Sequence, residues 1–173
     1  MLSGFVDESK SKTYIFSLVI VKQNQLQSTR RLLRDLVLPG QRSLHFSKES
    51  MSRRGEILKS ILAANLELLI LETGLKGHKE GRLAGLIGLS EIAQNANLHS
   101  LLLERDDSTF NSDQRILRGQ FNQVGRSDQK NFDFRYRHEE PILWAADAIA
   151  WSYQKGGMFR HRLLEAGVKV LSP

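Results

Sequence analysis

Four acidic residues sit where an otherwise apolar chain has least reason to carry them. Asp7 closes the run Leu2-Ser3-Gly4-Phe5-Val6, Glu72 closes one that starts at Leu66, and Glu104 closes one that starts at Leu98. Asp147 lies inside Trp144-Ala145-Ala146-Asp147-Ala148-Ile149-Ala150-Trp151, which has no other charge. A carboxylate in such surroundings is costly unless it is hydrogen-bonded or binds a cation. Each acid also has an ordinary reading. Asp7-Glu8-Ser9 can open a turn, and a buried Asp147 can bond a backbone N–H or a distant arginine. Taken together they form an oxygen-only ligand set, which suits magnesium or manganese rather than zinc. Two such ions about 3.5–4 Å apart can activate a water and stabilise the leaving oxygen in phosphodiester cleavage.

These acids meet only if the elements that carry them converge. Leu2–Ser9 reads as a strand, Lys10-Ser11-Lys12 as a tight turn and Thr13–Val21 as its antiparallel partner. Gln23–Val37 has helical spacing and ends before Pro39-Gly40. Ser43–Phe46 is a short candidate strand, and Ser47 is positioned to cap a helix running to about Ala64. Leu66–Glu72 reads as a buried strand, Glu80–Asn95 as a helix despite Gly81, Gly85 and Gly88, and Leu98–Glu104 as a strand. Ser112 or Asp113 opens a helix to about Val124, Gly125–Asn131 is a polar loop, and Phe132–Tyr136 is a strand at or near an edge. Glu139-Glu140-Pro141 opens a helix to about Gln154, with acids at its positive end. Gly156-Gly157 stops it, Met158–Ala166 is a short helix, and Val168–Leu171 a closing strand. A hairpin followed by alternating helices and strands argues an α/β mixed sheet with helices on both faces. Parallel strands then bring their C-terminal ends, and their acids, to one edge.

Asp147 lies beside Leu143 and Ala150 at about 100° per residue, at the margin of the apolar stripe. No lysine or arginine stands one turn away. Trp144 and Trp151 share its ridge. They are placed either to stack bases or sugars, or to pack in the core.

At 173 residues the chain is expected to form a single domain, residues 1–173, with a core large enough to need no disulfide. It has no cysteine, which excludes thiol catalysis and Cys-type zinc sites and fits the cytoplasm. No signal peptide is read, and no apolar run approaches the about 18–20 residues of a bilayer span, so no membrane partner is expected. The net charge of +6 recurs in clusters, at Arg30, Arg31 and Arg34, at Arg53 and Arg54, at Arg135, Arg137 and His138, and at Arg160, His161 and Arg162. Such clusters suit a polyanion, and they suit an ordinary solvated face as well. There is no P-loop or dinucleotide glycine fingerprint.

Four stretches carry a resemblance. Phe5-Val6-Asp7-Glu8-Ser9, Leu44-His45-Phe46, Leu103-Glu104-Arg105-Asp106-Asp107-Ser108 and the helix Leu143–Trp151 occur in this order. The set resembles a bacterial and phage family of RNase H-like proteins of unknown function. Its members open with F-[IV]-D-E-S-G and close with a helix of L-Q-x-A-D-x-[IV]-A type. The resemblance implies an RNase H-like fold and, by analogy of fold, a metal-dependent nuclease. It aligns Asp7 with the first-strand acid, Asp147 with the late-helix acid, Glu104 with a common Asp, Glu72 with another strand-end acid and His45 with a frequent histidine. Lys10 replaces the usual glycine, and Glu104 is one methylene longer than Asp.

Two functions follow. In the first, the chain is a Mg2+- or Mn2+-dependent nuclease acting on nucleic acid, DNA and RNA not being separable. Asp7, Glu104 and Asp147 hold the metals, with Glu72 or Asp107 as a further ligand. His45 orients water or moves a proton unless it is structural, and Glu8 stands behind the ligands. In the second, the chain is a non-catalytic RNase H-like module that binds nucleic acid or protein. Separation of Asp7 and Asp147 by more than about 10 Å, or an arginine tying up Asp147, removes the enzymatic account and leaves only the fold. The sequence does not set an oligomeric state.

Overall fold

The computed structural model describes residues 1–123 and 132–173; the expected loop Gly125–Asn131 and the helix end at Val124 lie outside the described residues. Strand β1 (Leu2–Ser9) pairs antiparallel with β2 (Ile15–Lys22), and β2 with β3 (Glu67–Glu72). On the other side β1 pairs in parallel with β4 (Ser100–Glu104), and β4 with β5 (Phe132–Arg135). β6 (Lys169–Leu171) adds in parallel to β3, giving the order β5-β4-β1-β2-β3-β6. The N-terminal hairpin, the alternation that follows it and the edge position of β5 are as the sequence predicts.

Side-chain alternation divides the core in two. Phe5, Ile15, Val19 and Ile70 face helices α1 (Leu26–Asp35), α2 (Met51–Ala63), α5 (Ile142–Lys155) and α6 (Gly157–Glu165). Val6, Phe16, Leu18 and Leu103 face α3 (His78–Asn95) and α4 (Phe110–Gln123). α5 is apolar on nearly every side and lies across β1 and β2. Its alanines allow the close approach, and the Ser17 hydroxyl of β2 donates to the Ala146 carbonyl at 2.6 Å. Among the described residues no helix is long and apolar enough to cross a membrane.

Three local expectations are corrected. Ser43–Phe46 is not a strand; it is a loop entering a 3-10 turn at Phe46–Lys48. The Phe46 carbonyl accepts from the Arg54 Nε at 2.9 Å, and its N–H donates to Asp147, so side chains take the place of a strand partner. The cap of α2 is Ser50, not Ser47, with its hydroxyl accepting the Arg53 N–H at 3.3 Å. Gly156-Gly157 ends α5, but α6 begins at once at Gly157.

The glycines of α3 have a packing reason. A Cβ on Gly81 would meet the Tyr14 Cβ at 2.5 Å, and one on Gly85 the Phe16 ring at 2.1 Å, both rigid contacts against β2 or the chain leading into it. Gly85→Ala is therefore expected to overpack this face and cost about 1–3 kcal/mol. Gly119→Ala, exposed on α4 with nothing within 4 Å of a new Cβ, is expected to stabilise by roughly 0.5–1 kcal/mol. Paired thermal melts of the two variants check the contrast.

Candidate active site

The C-terminal ends of β1 and β4 lie side by side at one sheet edge, and α5 crosses beneath β1 on the Phe5 face. Asp7, Glu104 and Asp147 meet there, around the guanidinium of Arg137. Nη1 of Arg137 lies 2.6 Å from Asp147 Oδ2 and Nη2 lies 3.0 Å from Glu104 Oε2. Nε donates to Glu104 Oε1 at 3.2 Å, and Nη2 reaches Asp7 Oδ2 at 3.6 Å. Asp147 Oδ2 also accepts the Phe46 N–H at 3.2 Å, and Asp7 Oδ1 the Glu8 N–H at 2.8 Å. Acids from three distant stretches thus share one guanidinium, which keeps Asp7 and Asp147 well inside the 10 Å limit.

Burial pushes the Asp7 carboxyl well above its ordinary value, and the charges of Glu104 and Asp147 push it further, against Arg137. Burial likewise raises Glu104, with Asp147 adding to the shift and Arg137 opposing it. Burial works against the Arg137 charge, but Asp147, Glu104 and Asp7 more than offset it. His45 lies within electrostatic reach; burial and the Arg137 charge hold its imidazole below the usual value. Its Nδ1 is 3.3 Å from the Ser47 hydroxyl.

The other expected residues lie apart from this group. Glu72 ends β3 on the same edge, two strands from β1, about 10 Å at the usual strand spacing. It accepts from the Tyr153 hydroxyl at 2.7 Å and the Thr13 hydroxyl at 3.3 Å. Asp107 is exposed past the end of β4, paired with the Arg105 Nε at 2.7 Å. Glu8 points to the opposite face of β1, where it pairs with Arg82. Arg82 also grips buried Asp113 at 2.6 and 2.7 Å and meets the Tyr14 hydroxyl at 2.6 Å. The tryptophans form no stacking platform. Trp144 is 3% exposed with its indole N–H on the Arg137 carbonyl at 2.7 Å. Trp151 packs edge-on against Phe46 and Phe159, with Arg54 over its ring. Several expected surface arginines are also structural: Arg30 forms a forked pair with buried Glu140 at 2.7–3.1 Å.

Arg137 is the residue the sequence reading passes over. It belongs to a basic cluster and comes ten positions before Asp147, in the 3-10 turn Arg137–Glu139 rather than one helical turn away. Among the described residues no three His, Asp or Glu are drawn together as a ready cation site; the guanidinium spaces the acids. The donor set remains all-oxygen, and one positive charge faces three carboxyl groups. Glu104 Oε2 is buried without a hydrogen-bond partner, although it has the ion contact to Arg137. A cavity of about 100 Å³ lies on the other face of β1 and β4, lined by Val6, Glu8, Phe16, Arg82 and Leu103, and touches Asp7 and Glu104 only at the strand ends. The oxygen donors suit a small hard cation by type, and Arg137 occupies the space between them.

No protein-family model matches the chain, and no curated protein matches it. Solved structures do. RNase HII from Archaeoglobus fulgidus, in its complex with PCNA, aligns over 95% of this chain and 77% of its own, at 16% identity and a TM-score of 0.59. Ribonuclease H2 from Pyrococcus horikoshii aligns over 96% and 78%, at 12% identity and a TM-score of 0.60. Bst-RNase HIII in complex with Mn2+ aligns over 96% of this chain and 53% of its own, at 12% identity and a TM-score of 0.53. The fold is RNase H-like. At these identities the likeness extends to the fold alone.

The raised carboxyl groups have a measurable consequence in metal-free buffer. A carboxyl raised on folding binds its proton more tightly in the folded chain, so it costs stability as pH climbs from the unfolded value of 3.8 through the folded one. Asp7→Asn removes that cost and keeps an acceptor for the Glu8 N–H. It is expected to melt higher than the native chain near neutral pH. The difference should shrink as pH is lowered towards about 4. Asp147→Ala strips both Arg137 and the Phe46 N–H of their acceptor and should melt lower. Melting curves across pH with a chelator present check both.

Proposed function

We propose that this chain is a divalent-cation-dependent nuclease, hydrolysing phosphodiester bonds of nucleic acid, and a single-domain member of the bacterial and phage RNase H-like family that its motifs resemble. The observation that carries the reading is the convergence of Asp7, Glu104 and Asp147 at the strand ends with only one compensating charge. When all three acids are ionised they outnumber the guanidinium by two charges in a half-buried site, a demand that Mg2+ or Mn2+ would meet. Asp7 and Glu104 would hold the ion, which would supply Lewis-acid polarisation of a phosphate and a more acidic water. Asp147 aligns Arg137, whose charge faces a phosphate oxygen entering from the open edge. His45, its imidazole held below the usual value by burial, would accept a proton from water. Glu72 and Asp107 take no ligand role in this arrangement. The residue types and charge fit a cytoplasmic enzyme.

A specific observation favours the second reading. Asp147 is tied to an arginine, the arrangement that on sequence grounds removes the enzymatic account and leaves the fold, and with it a non-catalytic module binding nucleic acid or protein. Cleavage of a panel of single- and double-stranded DNA, RNA and hybrid substrates separates the two. The nuclease reading expects cleavage that needs Mg2+ or Mn2+, stops with EDTA, and falls by about 100-fold or more in Glu104→Gln and Asp147→Asn. Full Mg2+-dependent cleavage by Asp147→Asn would exclude this mechanism. Nucleic-acid binding without cleavage in the native chain would establish the module instead.

A further inference from the structure

A separate cavity lies on the α3 and α4 side of the sheet, away from α5. It opens where the β1–β2 turn meets the first turns of α3 and α4, and holds about 370 Å³. Sites for small molecules are concavities of roughly 300–1,000 Å³ with mostly apolar walls and a few placed polar groups. The floor here is built in advance. Gly81 lets α3 lie against Tyr14, whose ring is buried. Arg82 meets the Tyr14 hydroxyl at 2.6 Å and is anchored by Asp113 and Glu8. Leu83 and Ile116 complete the apolar wall. Leu83 is 45% exposed, a large apolar side chain left in water at the rim.

The charge on the wall has one sign. Lys10, Lys79 and Arg82 line it, with His78 beside them, and no carboxylate does. The two other large grooves are mixed. One sets Glu56 and Glu165 among Lys59 and Arg162, and the other sets Asp35 beside Arg31 and Arg34. Arg82 is spent on Glu8 and Asp113, and Lys10 lies 3.7 Å from Glu8, which it shares with Arg82. Lys79 has no ion pair among the described residues. Lys10 is also the residue that replaces the glycine of the F-[IV]-D-E-S-G opening. A lysine carries its charge on a flexible apolar stem. Two such stems at the rim of an apolar hollow suit a ligand that is apolar at one end and negative at the other.

We propose that this cavity binds a small organic anion, with its acidic group between Lys10 and Lys79 and its apolar body against Leu83, Ile116 and Tyr14. The inference is independent of the nuclease reading.

The test is a fluorescence titration of the full chain with anilinonaphthalene sulfonate, an aromatic anion that brightens in apolar surroundings. Circular dichroism and a melting curve accompany each variant. The native chain should bind one equivalent saturably. Lys79→Glu should weaken binding roughly 5-fold or more, Lys10→Gly should weaken it less because Lys10 is already near Glu8, and Leu83→Glu should abolish it. All three side chains are exposed, so the variants are expected to fold. Met158→Gln, in the groove between α2 and α6 on the other side of the sheet, should bind as the native chain does. Octanoate and naphthoate carry both a charge and an apolar body. Displacement of the probe by either supports the proposal and tells an alkyl body from an aromatic one. Inorganic phosphate has only the charge and hexanol only the body, so neither should displace the probe at the same concentration. Absence of saturable binding overturns the proposal. So does binding that Lys79→Glu and Leu83→Glu leave intact, or equal displacement by phosphate or hexanol.

Discussion

One guanidinium organises this end of the molecule. Arg137 gathers Asp7, Glu104 and Asp147, three acids from parts of the chain that share nothing else. Without a positive charge between them, carboxylates this close and this little exposed would repel one another or take up protons. With only one such charge the group is held together but not neutralised. That intermediate condition, assembled yet still electron-rich, distinguishes the site from an ordinary structural ion pair, where the charges balance. Arg30–Glu140 balances, one to one. Glu8 and Asp113 on Arg82 are nearer to balance, with Lys10 3.7 Å from Glu8.

The remaining architecture serves to bring the acids to that point. Parallel pairing of β1 with β4 sets Asp7 and Glu104 on neighbouring strand ends. Small residues let α5 settle close to β1 and β2, and the Ser17–Ala146 bond fixes its height. Phe46, buried against the same helix, turns its N–H to Asp147. The site is thus supported by regular elements on three sides and by one short turn on the fourth.

The sheet was legible because its strands announce themselves as short apolar runs of β-branched and aromatic residues, each ended by a polar group. The approach of Asp7 and Glu104 was legible for the same reason, since parallel strands share an edge, whereas Asp147 stood out as the one charge of an apolar helix. Glu72 shows where that logic stops. It too ends a strand on the edge, but lateral position follows from strand order, which periodicity does not encode. Ser43–Phe46 failed for a different reason. Its apolar spacing reflects burial of Leu44 and Phe46, while its backbone bonds go to side chains of Arg54 and Asp147. Arg137 was hidden because its partners are tertiary. Searching one helical turn around Asp147 finds local pairs only, and this arginine reaches it from a preceding turn.

The bond from Trp144 to the Arg137 carbonyl has a practical side. Trp144 and Trp151 are the chain's only indoles, and one of them is buried with its N–H fixed to the arginine on which the acids depend. Any displacement of that turn must change the polarity sensed by a natural fluorophore. The protein therefore carries its own optical gauge of the site, readable from intrinsic emission without a label.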